Sequence, residues 1–291
     1  MKPPPFDYYA PERLNDILEL LSQQGSNARV MAGGQSLIPL MSLRMARYDV
    51  IIDLSRCSEL TRVEATEQGI YYGAMVRQRD AMRSPLTLGI CPLVTKALDH
   101  AGPIAVRNRA TVGGTLAHAD RSAELPGVAM ALEATMIVTG IAGSREVPAS
   151  EYFLGDMTTV IEAEELLTGV IFPQTPADAY TAFHEIGVRR EGVALVGLAA
   201  VIDLDADGVV HSACLALTGV EPTPVRLRGI EGAIVGSDLP EDLILEMGKR
   251  AFAAIEPNDD AYVTADYRRH VAGSLVKRAL SGAKVRKRGE A

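Results

Sequence analysis

Two paired glycines constrain this chain more than any other feature: Gly33-Gly34 within residues 32–36 (AGGQS) and Gly113-Gly114 within residues 111–115 (TVGGT). A Gly-Gly pair removes two Cβ atoms, so the backbone can approach a bulky ligand with its N–H groups turned inward. That arrangement suits phosphate oxygens. Hydroxyls stand close to both pairs, Ser36 behind the first and Thr111 and Thr115 on either side of the second. A fold that brings the two turns together could hold one extended ligand at both ends.

The flanks sharpen this. Residues 28–32 (ARVMA) read as a short strand delivering the chain into GGQS, and residues 37–41 are apolar and interrupted by Pro39. The second motif is approached through Arg107 and Arg109 and left through His118, Asp120 and Glu124, before Leu125-Pro126 opens an apolar helix. Neither motif is a Walker loop, since no Lys-Ser/Thr pair follows at the required spacing, and neither is GxGxxG. Each alone is a plain structural turn as readily as a ligand site. Their shared pattern points to a dinucleotide pyrophosphate held by N–H dipoles and by the Ser36, Thr111 and Thr115 hydroxyls. Glu124 is placed to accept hydrogen bonds from ribose hydroxyls. It is equally readable as a solvent-facing acid at a helix N-terminus, worth a few tenths of a kcal/mol through the helix dipole. His118 and Asp120 lack a third partner at metal-ligand spacing and read as a surface loop pair. His100, His184, His211 and His270 are scattered and read as structural. Arg107 and Arg109 read as loop-pinning or ion-pairing groups. No GxSxG elbow supports hydrolase chemistry. No catalytic acid or base and no metal ligand set emerges.

Composition excludes further classes. The three cysteines, Cys57, Cys91 and Cys214, form no CxxC, so neither a zinc knuckle nor an iron–sulfur cluster can be built from this chain. An odd, dispersed set also argues against a disulfide framework and fits a reducing compartment. A formal net charge of −8 argues against nucleic acid as partner. The basic run at residues 284–288 reads as a solvated chain end. The opening MKPPPFDYYAPE lacks the apolar core of a signal peptide, and no run approaches the roughly 18 apolar residues of a membrane span. A cytoplasmic protein without a membrane span is the expectation.

A length of 291 residues suggests two domains. Leu14, Ile17, Leu18 and Leu21 mark a helix that starts after Pro11 and closes at Gly25. With strands at 28–32 and 50–54, it makes a small β-α-β unit over the first fifty or so residues. A strand follows at 69–73, helices at 77–82 and 88–102, a helix at 125–134, and strands at 135–139, 144–147 and 166–172. From about residue 178 three strands run in succession (181–187, 194–203, 209–217), with Asp205-Ala206-Asp207-Gly208 turning the last pair. Helices at 228–235, 240–255 and 265–280 complete an α+β unit. The linker candidate is the TPADAY stretch around Pro176.

With both glycine motifs located, the chain resembles the FAD-binding medium subunits of the molybdenum hydroxylases, the family of carbon monoxide dehydrogenase, xanthine dehydrogenase and bacterial N-heterocycle dehydrogenases. VMAGGQSLIPLM and AVRNRATVGGTLAHADRSAELP carry the resemblance, in that order and at that separation. The F-x-Y-x-x-P segment at residues 6–11, LLTGVIFP, and RREGVALV at 189–196 extend it over nearly the whole chain. The resemblance implies an α+β fold. Residues 1–177 would form an FAD-binding domain of the vanillyl-alcohol oxidase type, with subdomains of about 1–55 and 56–177. A C-terminal domain, 178–291, a β-meander followed by helices, would close over the isoalloxazine side.

It also implies noncovalent FAD. Arg29, Val30, Met31, Ala32, Gly33, Gly34, Gln35 and Ser36, with Thr111, Val112, Gly113, Gly114 and Thr115, would hold the pyrophosphate and ribityl chain. Glu124 would stand on the adenosine side, and Leu167 would pack on the flavin or adenine. Gln35 stands where some covalent flavoproteins of the wider fold carry histidine. Where many members place a lysine near the flavin, this chain has Phe183-His184-Glu185-Ile186, and that flavin contact has no assigned residue here. The implied function is that of an oxidoreductase electron-transfer subunit. Substrate is hydroxylated at molybdopterin on a large subunit, electrons pass through two [2Fe-2S] clusters on a small subunit, and FAD on this chain hands them to an external acceptor. The assembly would be a heterotrimer, doubled to a dimer of heterotrimers. The other readings are a stand-alone flavoprotein oxidoreductase of the same fold, which needs a substrate-facing acid/base cluster in the C-terminal domain, and a non-enzymatic nucleotide-binding module, which would be colourless.

Overall fold

The computed structural model describes residues 2–189 and 192–287. Arg190 and Glu191 of the RREGVALV stretch, and Arg288 of the basic run, lie outside the described residues. The chain begins with β1 (Asp7–Tyr9), α1 (Leu14–Gln24), β2 (Ala28–Met31), α2 (Leu37–Ser42) and β3 (Val50–Asp53). The three strands pair in parallel in the order β1-β3-β2. Ile17, Leu18 and Leu21 bury one stripe of α1. Gly25, at φ +51°, ends the helix. The expected β-α-β unit thus carries one strand more than the sequence signals. β1 is three residues long with all three side chains exposed, so no hydrophobic alternation announces it. It is anchored by the Tyr8 hydroxyl, which donates to Asp53 Oδ2 at 2.6 Å.

Next come β4 (Val63–Thr66), β5 (Gly69–Gly73), α3 (Gln78–Arg83), α4 (Pro85–Ile90), α5 (Pro92–Leu98), α6 (Ile104–Arg107), α7 (Val112–His118), α8 (Glu124–Leu132), β6 (Thr135–Gly140), β7 (Gly143–Pro148), α9 (Ala149–Tyr152), β8 (Phe153–Gly155), β9 (Thr158–Thr159) and β10 (Leu166–Pro173). An antiparallel sheet forms in the order β4-β5-β10-β6-β7, with β8 and β9 as a separate hairpin. The single helix expected over 88–102 is two. Pro92 has no N–H to continue α4 and sits instead at the start of α5, so the chain breaks at Cys91.

The last part holds β11 (Tyr180–Gly187), β12 (Ala194–Leu204), β13 (Val210–Thr218), β14 (Val225–Arg226), α10 (Arg228–Ile234), α11 (Glu241–Ala253) and α12 (Ala265–Lys287). Its four strands form an antiparallel meander in sequence order. Asp205 Oδ1 accepts from the Asp207 and Val209 N–H groups, 2.9 Å each, which fixes the β12–β13 turn. β12 reads as a continuous apolar run because both its faces are covered. Val196, Leu198, Ala200 and Ile202 pack with α10–α12, whereas Ala199 and Val201 join the central core beside α5 and α8. The meander is therefore a layer between its own helices and the preceding domain.

That seam is pinned by polar contacts. Arg226 Nη1 donates to Met130 O at 3.1 Å, and Arg228 reaches Glu133 Oε1 at 2.6 Å, both at the C-terminal end of α8. Cations there complement the helix dipole. Gly219 N–H donates to Arg121 O at 2.8 Å, and Lys96 Nζ donates to Thr181 O.

Candidate functional site: the junction of two glycine motifs

The two motifs meet. A Cβ on Gly33 would overlap the Arg109 carbonyl oxygen and fall 2.8 Å from Ala110 Cα; one on Gly114 would lie 2.8 Å from Thr111 Oγ1 and 3.0 Å from Ala32 Cβ. The β2–α2 turn is thus seated on the segment that leads into α7. The Arg109 carbonyl is itself fixed by Arg77 Nη1, which donates to it. Gly34 adopts φ +70°, the left-handed region that a side chain disfavours. It turns the chain from β2 into α2.

Only one of the motifs is a nest of free donors. Residues 111–115 were expected to turn N–H groups toward a ligand, and this is corrected by the structure. Val112 N–H donates to Val76 O (2.9 Å), Gly113 N–H to Ala74 O (3.0 Å) and Thr115 N–H to Thr111 O (3.1 Å). Gly114 N–H donates to Thr111 Oγ1 (2.9 Å). Thr111 is the N-cap of α7, using its hydroxyl for the purpose that makes threonine a good cap. Thr115 Oγ1 donates to Thr111 O at 3.1 Å and accepts from Gln78 Nε2 at 2.8 Å. Both threonine hydroxyls are therefore engaged within the chain. Gly113 serves close packing, because a Cβ there would overlap that of Ala74.

By contrast, no acceptor among the described residues takes the N–H groups of Gly33, Gly34, Gln35 or Ser36. Ser36 is exposed at the N-cap of α2 and makes no side-chain cap bond. The Gln35 carboxamide folds back, with Nε2 donating to Gly33 O at 3.1 Å. Arg29 is exposed, its guanidinium 5.7 Å from the centre of the Tyr48 ring. Val30 packs on the core beneath the small sheet. Met31 lies under Gly34, its Sδ 3.3 Å from where a Gly34 Cβ would stand. Leu167 is 2% exposed in the central core with Val112 and Leu116 of α7. It braces the glycine helix from beneath instead of lining an open cleft.

Glu124 is not the solvent-facing acid that one reading allowed. It is 7% exposed at the first position of α8. Burial, then Glu185, push its carboxyl up to about 8; Asp120 adds to this, while its own backbone N–H and Arg107 pull the other way. Glu185, on β11, is pushed up to about 7 by burial, and its Oε2 is buried with no hydrogen-bond partner. Neighbouring His184 is driven down to about 4 by burial and by Arg278, His100 and Lys96. Asp120 accepts from Ser122 N–H at 2.8 Å, and among the described residues no group of three or more His, Cys, Asp or Glu is placed to hold a metal ion. No helix among them is long and apolar enough to cross a membrane.

Three residues at this junction went unassigned from sequence: Arg77, Gln78 and Glu185. Arg77 and Gln78 carry no motif of their own and act only through contacts made across the fold. Glu185 had a signal, in the departure at residues 183–186, but no local pattern marked its Oε2 as buried.

Comparison with known proteins adds to the geometry. Residues 4–175 match the family model described as the FAD binding domain in molybdopterin dehydrogenase, and residues 181–283 match the CO dehydrogenase flavoprotein C-terminal domain. The chain is 34% identical to the carbon monoxide dehydrogenase medium chain of Hydrogenophaga pseudoflava, over 98% of this chain and 99% of that one. It is 33% identical to the 6-hydroxypseudooxynicotine dehydrogenase complex subunit alpha of Paenarthrobacter nicotinovorans, over 99% and 97% of the two chains. Among solved structures it is similar to a carbon monoxide dehydrogenase from Hydrogenophaga pseudoflava that lacks the Mo-pyranopterin moiety of its molybdenum cofactor. The TM-score is 0.94 at 35% identity, over 98% of this chain and 99% of that one.

Proposed function

Because the chain belongs to the family of FAD-binding medium subunits of molybdenum hydroxylases, we propose that it holds FAD noncovalently across the junction of its two glycine motifs. When bound, FAD supplies the redox chemistry, receiving electrons from the iron–sulfur subunit of the enzyme and passing them to an external acceptor. The chain is thus an oxidoreductase subunit whose own residues bind, orient and shield.

The observation that carries the reading is the free N–H row of Gly33, Gly34, Gln35 and Ser36, set where the missing Cβ of Gly33 lets the loop rest on Arg109-Ala110. These donors take the pyrophosphate, and the Ser36 hydroxyl is free to add to them. Arg29, Val30 and Met31 deliver and support the loop, and Ala32 packs against Gly114. Thr111, Val112, Gly113, Gly114 and Thr115 act as the rigid wall of the cradle, contributing shape more than donors. Leu167 braces that wall. Glu124 meets a polar edge of the cofactor at the domain seam. Glu124 stands on the adenosine side of the cofactor, at the start of a helix that packs on β12 and β13. Gln35 offers an amide, which is no nucleophile, so no covalent flavin link forms there.

The domain division falls at 177/178, between the end of β10 at Pro173 and the start of β11 at Tyr180. The partners are a small [2Fe-2S] subunit and a large molybdopterin subunit, in a cytoplasmic dimer of heterotrimers. Substrate choice belongs to the large subunit in this reading, and relatives named for carbon monoxide and for 6-hydroxypseudooxynicotine match this chain almost equally well. The test is affinity purification of the tagged chain from its native host. FAD, iron, acid-labile sulfide and molybdenum in the eluate are expected, together with two further polypeptides. A chain that keeps FAD but brings down neither iron nor molybdenum would instead be a stand-alone flavoprotein.

A further inference from the structure

The two glycine motifs offer a pyrophosphate N–H dipoles and a hydroxyl, and a cation stands beside them on a third segment. Arg77 follows β5 and pairs with Thr111 as an isolated antiparallel bridge. Gln78 N–H donates to Ala110 O and Val112 N–H to Val76 O, each at 2.9 Å, on either side of it. The backbone of Arg77 is thus fixed opposite the N-cap of α7. From there the side chain reaches back, and Nη1 donates to Arg109 O. That oxygen is the same atom that a Cβ on Gly33 would strike. The guanidinium and the Gly33 turn therefore rest against one carbonyl, which puts a positive charge next to both motifs.

Neighbouring arginines are engaged elsewhere. Arg107 donates to Ala101 O and Gly102 O. Arg79 pairs with Asp80 at 3.1 Å and reaches Asn108 Oδ1 at 3.4 Å. Arg29 stands over the Tyr48 ring, and the Arg109 side chain is exposed. Arg77 differs from all of these. It is half-buried, and the Arg109 carbonyl is the one acceptor that its side chain finds among the described residues. A guanidinium carries five N–H donors, so most of its capacity is uncommitted. A charge drawn part-way out of water without a counter-ion gains by meeting an anion. The planar fork of arginine suits phosphate oxygens and can hold one while another N–H stays on the carbonyl.

We propose that Arg77 is the cation of the cradle: its guanidinium takes a phosphate oxygen of the FAD pyrophosphate while still bracing the Arg109 carbonyl, so that cofactor retention has an ionic component. The inference rests on the FAD reading above. The chain carries a formal net charge of −8, which repels a dianion at long range. A local cation turns the field at the cradle in the cofactor's favour. Arg77 also ties binding to the fold, because the bond that steadies the seat of Gly33 is the bond that orients the charge.

The test is FAD binding to the full chain, read as quenching of flavin fluorescence, at low and high salt. In the unsubstituted chain Kd should rise with salt, although screening of the net negative charge alone would lower it. That reading needs no variant to fold. Arg77→Gln keeps an N–H donor for the Arg109 carbonyl and removes the charge. At about 10 mM ionic strength it should raise Kd about ten- to a hundredfold, and the ratio to the unsubstituted chain should shrink by about 0.5 M. Arg77→Lys keeps the charge without the fork and should recover part of the affinity at low salt. Arg79→Gln removes an equal charge that is already paired, and should leave Kd within about twofold. A bracing role alone would give Arg77→Gln a loss that salt does not change, with lysine no better than glutamine. That result overturns the proposal, as does an unaltered Kd in Arg77→Gln or a Kd that falls with salt in the unsubstituted chain. Inorganic pyrophosphate is the second probe, and should raise the thermal midpoint of the FAD-free chain but not that of Arg77→Gln. If no FAD binds yet pyrophosphate stabilises the chain through Arg77, the FAD reading fails and the cation site stands. If neither binds, both fall.

Discussion

The site depends on single residues in ways that mutation can separate. Gly33→Ala is the sharpest case, because its Cβ would overlap the Arg109 carbonyl, backbone that Arg77 holds in place. The variant should lose about 1–3 kcal/mol of stability through overpacking, and the FAD-to-protein ratio should drop at least about tenfold. Denaturation midpoints and absorbance ratios check both. Glu124 and Glu185 make stability depend on pH. Their native carboxyls titrate at about 8 and about 7, above the 4.5 of a free glutamate. The stability they contribute is therefore complete below about pH 4.5 and is lost as pH rises through 7 and 8. Urea unfolding should show a decrease of about 1–3 kcal/mol from this pair between pH 5 and pH 9, allowing for partial solvent screening. Glu185→Gln should recover part of it at pH 9 and little at pH 5.

Among the elements, α7 and the α8 seam bear most of the design. Thr111→Val keeps the shape but removes the N-cap acceptor of Gly114, and should cost about 1–2 kcal/mol. Arg226 is half-buried against Glu231, to which its Nε donates, and reaches across to Met130 O. Arg226→Ala strands the Glu231 carboxylate in the seam, and the same unfolding assay should show a loss of about 3–5 kcal/mol. Elements with strong local signals were legible before the structure: α1 from its i, i+3, i+4, i+7 leucines and isoleucine, the meander from β11 to β13 from apolar runs parted by a turn sequence, and the long α12. β1 and β4 were not, because edge strands of three or four exposed residues carry no alternating pattern. α7 was read as an open phosphate nest because Gly-Gly suggests loop. Glycines also allow a helix to lie tight against a strand, and only the neighbouring Ala74 decides between the two. The burial of Glu124 and of the Glu185 Oε2 atom was illegible as well, because no local pattern marks either acid as covered.

For the molecule as a whole, three larger sheets and the small β8–β9 hairpin make one layered body in which the C-terminal meander is covered on both faces. The glycine junction lies within the first domain, and Glu124 opens α8, the helix that packs on β12 and β13 of the second. Helix α8 carries Glu124 at one end and is bolted to the C-terminal domain by Arg226 and Arg228 at the other. The central claim is that this junction is an FAD cradle. The most direct measurement is the visible absorption spectrum of the purified chain, with FAD assayed in the supernatant after acid precipitation. A yellow protein that releases close to one free FAD per chain is the predicted result. A colourless chain that takes up no added FAD would contradict the account, and colour that stays with the precipitate would contradict the noncovalent reading of Gln35.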